Sequence, residues 1–295
     1  MKHITVLLTE AVDALALTKD ATVVDATLGA GGHARLILSK LGSTGTFIGF
    51  DADSTALTEL DDLKKSKSTV HLVHSNFAHI QLELQKLDIE SADAILADLG
   101  WRTDQFTDGG KGFSFTSDDS LYMTYGEPGN YSFTAGDIVN DWKEEDIANV
   151  FYGYGEERYS RQIAKAIVTY RKTKKIVTAA ELAEIIFTSV PVSYRHGRIH
   201  PATKSFQGLR IAVNDEFSVL EQFIASSWQC LAPQGRLAII SFHSLEDRIV
   251  KHTFRNYVQA DAGVLITKKP IIASPEELKQ NPRSRSAKLR IIQKI

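Results

Sequence analysis

The chain has 295 residues, of which 43% are hydrophobic and 24% charged, a composition typical of globular proteins. Its apolar runs are far shorter than the roughly 20 residues that span a bilayer, which argues against a membrane-spanning protein. The single cysteine, Cys230, excludes an intrachain disulfide and a cysteine-rich metal site. The N-terminus has too short an apolar stretch for a signal peptide, so these features favour a cytoplasmic protein.

The net charge of −2 hides an uneven distribution along the chain. Residues 1–150 contain 11 Lys and Arg against 24 Asp and Glu, whereas residues 151–295 contain 23 against 12. Such asymmetry is typical of proteins that bind a polyanion, although a solvated surface with chance clustering gives the same pattern. Charge alone therefore leaves nucleic-acid binding open.

Strand and helix patterns alternate in the first hundred residues, which predicts a parallel sheet with right-handed crossovers. In chain order, we predict strand 22–25, helix 33–41, strand 46–50, helix 54–63, strand 70–73, helix 80–87 and strand 92–97. Residues 101–136 are rich in Gly, Asp, Ser and Thr with interspersed aromatic residues, and residues 141–190 have a helical pattern.

The C-terminal part begins with a long predicted helix and then returns to the α/β pattern. The predicted elements are helix 206–231, turn 233–235, strand 236–242, helix 245–257, and strands 264–267 and 289–292 as a final pair. We therefore predict a discontinuous α/β domain, residues 1–122 and 206–295. A mostly helical domain, residues 123–205, is inserted into it.

A glycine-rich loop between the first strand and the first α/β helix is the first candidate site. Gly29, Gly31 and Gly32 follow Asp25, and Asp51 ends the next strand 22 residues after Gly29. Glycines let the backbone approach a ligand, and an acid at the end of the second strand can accept hydrogen bonds from ribose hydroxyls. The pattern fits S-adenosylmethionine (SAM), whose cationic end suits Asp25, but NAD and a purely structural glycine turn stay as alternatives.

Several sequence blocks occur in an order that resembles the MraW (RsmH) family of SAM-dependent methyltransferases. They are HITVLLTEAV at 3–12, DATLGAGGH at 25–33, DLG at 98–100, GFSF at 112–115, YGEER at 154–158, HPATKSFQGLRI at 200–211, SFHSLEDRIVK at 241–251 and NPRSRSAKLR at 281–290. Two segments depart from the family pattern, WRTDQ at 101–105 and LYMTYG at 121–126, and both lie beside the expected cytidine pocket.

The resemblance implies a class I SAM-dependent methyltransferase fold, which is Rossmann-like with a mostly parallel sheet. It also implies an inserted helical substrate domain and transfer of methyl to the exocyclic N4 of a cytidine in the decoding region of 16S rRNA. The expected partner is the small ribosomal subunit, with no membrane and no metal. The oligomeric state stays open, a homodimer included. The implied cofactor contacts are Gly31, Gly32, His33, Asp51, Phe77, Asp98 and Gln105, to which the loop pattern adds Gly29.

Asp98 is our main catalytic candidate, because an acid at a strand end can orient the amine or the cofactor. His243 is the second, although Ser244 and the acids after it also read as an ordinary helix start. For the substrate we expect stacking by Trp101, Phe113 and Phe115 and phosphate contacts from Arg198, Lys204 and Arg210.

Each of these assignments has a structural alternative. Asp98 can cap a loop, His33 can simply pack at a helix start, and Phe113 and Phe115 can be ordinary core residues. Two other functions also stay open. One is a SAM-binding, ribosome-associated protein without catalysis, and the other is a methyltransferase or oxidoreductase with a different substrate.

Overall fold

The computed structural model describes residues 4–99 and 110–295. The elements before residue 100 are α1 Leu8–Ala14, β1 Thr22–Asp25, α2 Gly32–Lys40, β2 Thr46–Asp51, α3 Ser54–Glu59, β3 Thr69–His74, α4 Ile80–Lys86 and β4 Ala92–Asp98. They are followed by α5 Ala135–Asp141, α6 Glu144–Gly153, α7 Ser160–Arg171, α8 Ala179–Ser189, α9 Val192–Arg195 and α10 Ala202–Asn214. The last are α11 Glu216–Cys230, β5 Leu231–Ser241, α12 Ser244–Gln259, β6 Gly263–Leu265, α13 Pro275–Gln280 and β7 Lys288–Lys294.

The chain divides into two compact units, residues 1–100 with 217–295, and residues 101–216. The first unit contains a seven-stranded sheet in the order β3-β2-β1-β4-β5-β7-β6. Strands β1 to β5 run parallel, whereas β7 runs antiparallel to both of its neighbours. The predicted α/β class and the pairing of the last two strands are thereby confirmed.

Helices cover both faces of the sheet, which explains the continuous apolar strands of this unit. On β1, Val23 contributes to a core formed with α1 and α2, and Val24 contributes to a core on the opposite face with α4, α11 and α12. Ile95 and Leu96 of β4 alternate in the same way and are both fully buried. The two cores pack against the faces of the sheet. The carboxyl ends of the strands, which are not part of these faces, are therefore available for a binding site.

The second unit consists of the α5–α10 helices around a separate core that includes Ile138, Phe151 and Ile163. Leu121 and Leu209 also belong to this core, so the unit extends on both sides beyond the predicted insertion, residues 123–205. Among the described residues, no helix is long and apolar enough to cross a bilayer.

Two predicted elements differ in detail from the structure. The helix predicted at 206–231 is two helices, because Asp215 adopts a left-handed conformation (φ 48°) between α10 and α11. The turn predicted at 233–235 lies inside β5, where Gln234 has φ 65° and the pairing with β4 is irregular. In both places a single left-handed residue changes the direction of the backbone, and composition alone did not reveal it.

Candidate active site

Three acidic side chains lie at the carboxyl edge of the first unit's sheet. Asp25, Asp51 and Asp98 end the adjacent parallel strands β1, β2 and β4. Parallel strands place such ends together, where ligands of open α/β sheets bind. The glycine-rich loop begins directly after β1, so the structure brings the predicted loop and the predicted acids to one edge.

Asp51 shapes the glycine-rich loop. One of its carboxylate oxygens accepts a hydrogen bond from the Gly29 N–H at 3.0 Å, and the other accepts from the Asp53 N–H at 2.9 Å. Gly29 and Gly31 have φ values of 53° and 74°, which L side chains rarely adopt. A carboxylate has about four acceptor positions, and ribose hydroxyls are donors of the kind that such a group accepts from.

Gly32 begins α2 and lies against the N-terminal segment. A Cβ atom at this position would be 1.8 Å from Thr5 Oγ1 and 2.9 Å from Thr5 Cβ. Gly32→Ala is therefore expected to displace residue 5, to reduce the free energy of unfolding by about 1–3 kcal/mol, and to weaken SAM binding at least tenfold. Calorimetric titration with SAM and urea unfolding measure the two effects.

The control for this prediction removes the obstacle rather than the glycine. Adding Thr5→Ala to Gly32→Ala deletes Thr5 Oγ1 and should restore part of both losses, whereas Thr5→Ala alone should change SAM affinity little. If the double variant were no better than Gly32→Ala, crowding against Thr5 would be the wrong explanation.

His33 is buried between the N-terminal segment and Asp98. Its Nε2 lies 3.1 Å from the Val6 carbonyl oxygen, and its Nδ1 lies 3.9 Å from Asp98 Oδ2. Because a carbonyl oxygen only accepts, Nε2 carries the hydrogen and Nδ1 is the nitrogen that faces Asp98. The backbone N–H of Asp98 donates to the Thr27 hydroxyl at 2.6 Å, which ties the end of β4 to the loop.

The contribution of Val6 was missed from the sequence because it comes from a backbone carbonyl. The sequence analysis did single out this segment, because residues 3–12 form one of the blocks that resemble the MraW family, but it assigned no role to them.

Asp25 is 1% exposed, and its Oδ2 has no hydrogen-bond partner among the described residues. Its Oδ1 accepts from the Thr27 N–H at 3.2 Å. Burial raises the pKa of this carboxyl to about 7, the Thr27 hydrogen bond opposes the shift, and the charge of Asp51 adds to it. Because burial favours the neutral form, Asp25 is less suited to the cationic end of SAM than the sequence suggested.

The residues at this edge fit SAM. The glycines let the backbone come close to a bound ligand, and the Asp51 carboxylate can accept hydrogen bonds from ribose hydroxyls. Asp98 adds a second carboxylate near the loop. Phe77 is partly buried and packs edge-on against Phe223 with ring centroids 5.0 Å apart, so it supplies an apolar surface of the kind an adenine needs. Gln105 and Trp101 lie outside the described residues.

His243 is the N-cap of α12. Its Nδ1 accepts from the Glu246 N–H at 3.3 Å, and the Glu246 carboxylate accepts from the His243 N–H at 3.2 Å, which completes a capping box. His243 Nε2 also lies 3.1 Å from Glu246 Oε1. His243, and not Ser244, therefore caps this helix through Nδ1, whereas Nε2 is buried and makes no hydrogen bond with the described residues.

These contacts predict that His243 stabilises the fold and takes no part in the chemistry. Asparagine is also a good N-cap, so His243→Asn should leave the rate of methyl transfer within about threefold of wild type. His243→Ala should lower the free energy of unfolding by about 1 kcal/mol. Single-turnover rates and urea unfolding test both, and a loss of more than a hundredfold in well-folded His243→Asn would restore the catalytic assignment.

In the second unit, the two expected stacking residues each have one ring face against another ring. Phe113 stacks on Tyr125 at 5.6 Å between centroids, and Phe115 stacks on His200 at 4.6 Å. Phe187 lies parallel to the same histidine at 5.8 Å, and burial lowers the pKa of His200. Base stacking by Phe113 and Phe115 stays a prediction.

The basic residues that we expected to bind phosphate differ in their surroundings. Arg198 is exposed, and Lys204 donates to the Glu156 carbonyl at 2.9 Å. Arg210 forms a two-point ion pair with Glu216, at 2.8 and 3.0 Å, in which both side chains are largely buried. Both residues lie in the second unit, so the pair gives Arg210 a structural role there.

The family model described as the MraW methylase family matches residues 1–295. The chain is 44% identical over 297 residues to the ribosomal RNA small subunit methyltransferase H of Koribacter versatilis, with 98% of this chain and 92% of that protein covered. It is 41% identical over 316 residues to the protein of the same name from a Paenibacillus species, with coverages of 100% and 99%. The homologue from Symbiobacterium thermophilum is 42% identical over 309 residues, with coverages of 99% and 96%.

Proposed function

Because the chain belongs to the MraW methylase family, we propose that it transfers a methyl group from SAM to the exocyclic N4 of a cytidine in the decoding region of 16S rRNA. The proposed substrate is the small ribosomal subunit or its RNA, in keeping with the names of the curated relatives. The observation that carries the proposal is the position of Asp98 beside His33 and the glycine-rich loop, at the carboxyl edge of the sheet.

The loop and the strand ends would hold the cofactor in this proposal. Gly29, Gly31 and Gly32 would surround its polar part, Asp51 would accept from the ribose, and Phe77 would pack on the adenine. When bound, SAM supplies the methyl group as an electrophile on a sulfonium. The contribution of the chain is alignment of the two reactants, an effect worth about 7–11 kcal/mol in well-oriented pairs.

Asp98 has the chemistry that the cytosine amine requires. The N4 lone pair is delocalised into the ring, so the amine is a poor nucleophile until an acceptor binds one of its hydrogens. The Asp98 carboxylate would accept that hydrogen bond and take up the proton that N4 loses when its bond to the methyl carbon forms. The bond from the methyl carbon to sulfur would break at the same time, and its electron pair would stay on sulfur as a neutral thioether leaving group. The cytidine must leave its stack to reach the methyl group, as bases do in enzymes that modify them.

The experiment uses radiolabelled SAM and small ribosomal subunits from a strain that lacks the endogenous enzyme. After digestion of the RNA to nucleosides, the proposal expects label in N4-methylcytidine. Free 16S rRNA is assayed in parallel to separate the assembled particle from the RNA alone. Because phosphate contacts release counterions, binding of either substrate should weaken steeply as salt is raised.

Three outcomes would contradict the proposal in different ways. Label in another nucleoside would indicate a different target. SAM binding without any label would favour a ribosome-associated protein without catalysis. Failure to bind SAM would contradict the assignment of the glycine-rich loop itself.

A further inference from the structure

Residues 4–7, which end in a turn just before α1, lie against the glycine-rich loop. Thr5 lies so close to Gly32 that it leaves no room for a Cβ there, and the Val6 carbonyl fixes the ring of His33. The segment thus contacts two of the residues that we assign to the cofactor. Its own conformation should therefore set the geometry of the loop.

The segment is attached at both ends to the C-terminal part of the chain. The Asn281 side-chain amide donates to the Ile4 carbonyl at 3.0 Å, and Glu277 Oε1 accepts from the Leu7 N–H at 2.9 Å. Glu277 belongs to α13, and Asn281 follows that helix and is 5% exposed. The partners are 270 or more residues apart in sequence but belong to one unit.

The hydrogen bond from the Leu7 N–H to Glu277 stabilises Leu7 in an unfavourable backbone conformation. Leu7 has φ 49° and ψ 37°, a left-handed geometry that branched residues rarely adopt, and its side chain is fully buried. Residues 4–7 belong to no helix or strand. Such a segment needs partners from elsewhere in the fold to keep one conformation.

We propose that Glu277 and Asn281 are positioning residues for the cofactor. They hold residues 4–7 in place, and these residues in turn hold Gly32 and His33 in the geometry that binds SAM. Neither residue contacts the loop itself in this proposal, and their effect passes through the N-terminal segment. The inference rests on the proposed use of this loop for SAM.

The test compares variants that differ in whether they keep the attachment. Glu277→Leu and Asn281→Leu each remove one hydrogen bond, whereas Glu277→Gln keeps an acceptor oxygen for the Leu7 N–H. Glu276→Leu is the matched control, since Glu276 is exposed on the same helix. Calorimetric titration with SAM gives the Kd and the fraction of competent sites, and turnover on small subunits gives kcat and KM.

We expect the Kd for SAM to rise about tenfold in Glu277→Leu and in Asn281→Leu, which is the size expected for the loss of one hydrogen bond. Glu277→Gln and Glu276→Leu should stay within about twofold of wild type. The kcat at saturating SAM should change less than twofold in all four, because the chemical groups are intact. A purely structural role would instead lower the competent fraction and leave the Kd unchanged, and that result would overturn the proposal.

Hydrogen exchange in the protein without added cofactor separates this proposal from the proposed function. The two leucine variants should speed amide exchange in a peptide that covers residues 29–36, and Glu276→Leu should not. Unchanged exchange in that peptide would overturn the positioning role even if SAM binds. A third outcome combines faster exchange in the leucine variants with a wild-type chain that does not bind SAM. The attachment would then be real, but the proposed function would be contradicted. Glu277 and Asn281 would consequently have no role in cofactor binding.

Discussion

Asp98→Asn is expected to lower the single-turnover rate of methyl transfer by about 100- to 10,000-fold, the range typical of a lost general base. Asparagine keeps the shape and one acceptor oxygen of aspartate but has neither its charge nor its basicity. The rate is measured at saturating SAM with small ribosomal subunits in excess, so that weaker binding of either reactant does not contribute. The loss would then reside in the chemical step.

Asp93→Asn is the matched control for this experiment. Asp93 lies on the same strand but away from the carboxyl edge, where it accepts from the Thr22 N–H at 2.7 Å. The same substitution there should leave the rate within about twofold. If Asp98→Asn were equally active, Asp98 would be a structural residue whose side chain caps the loop, the alternative already considered from the sequence.

Much of the first unit could be predicted from the sequence, because its determinants are local. Short apolar runs that end in Asp25, Asp51 and Asp98 predict strands and also predict where their carboxyl ends lie. Once these strands are parallel, their order along the chain brings the acids and the glycine-rich loop to one edge. Local signals thus predicted both the elements and the location of the candidate site.

The parts that escaped prediction depend on partners that are distant in sequence or on single backbone angles. The ion pair of Arg210 with Glu216 was not predicted, since nothing in the basic block reveals a partner, and phosphate binding by Arg210 stays a prediction. The tie between Glu277 and Leu7 joins opposite ends of the chain and has no local pattern. The cap at His243 was assigned to Ser244, because serine is a common N-cap and histidine is not.

Asp25→Asn is expected to remove a pH dependence of stability worth about 4 kcal/mol. Burial raises the pKa of Asp25 to about 7 in the folded chain, against 3.8 for an ordinary aspartate carboxyl. Between these values the folded chain holds a proton that the unfolded chain has released. The group's contribution to the free energy of unfolding is therefore greatest below pH 4, and it falls by about 1.4 kcal/mol for each pH unit up to pH 7.

Urea unfolding at pH 5, 6, 7 and 8 measures this effect as a difference between two proteins. The wild type should lose about 3 kcal/mol relative to Asp25→Asn between pH 5 and pH 8, because the carboxamide stays neutral throughout. An offset that is the same at every pH is expected as well, since the amide group must occupy a buried position in which Oδ2 has no partner among the described residues. The pH-dependent part is what reports on the charge of Asp25.

Glu90→Gln is the control, because it removes the same charge from an exposed position of the same unit. Its profile should run parallel to that of the wild type. If Asp25→Asn also ran parallel, Asp25 would be ionised in the folded chain at an ordinary pKa, and burial would not be the dominant influence on it. A steeper wild-type profile would instead show that the sheet edge keeps a carboxylate that destabilises the fold at neutral pH, as functional sites often do.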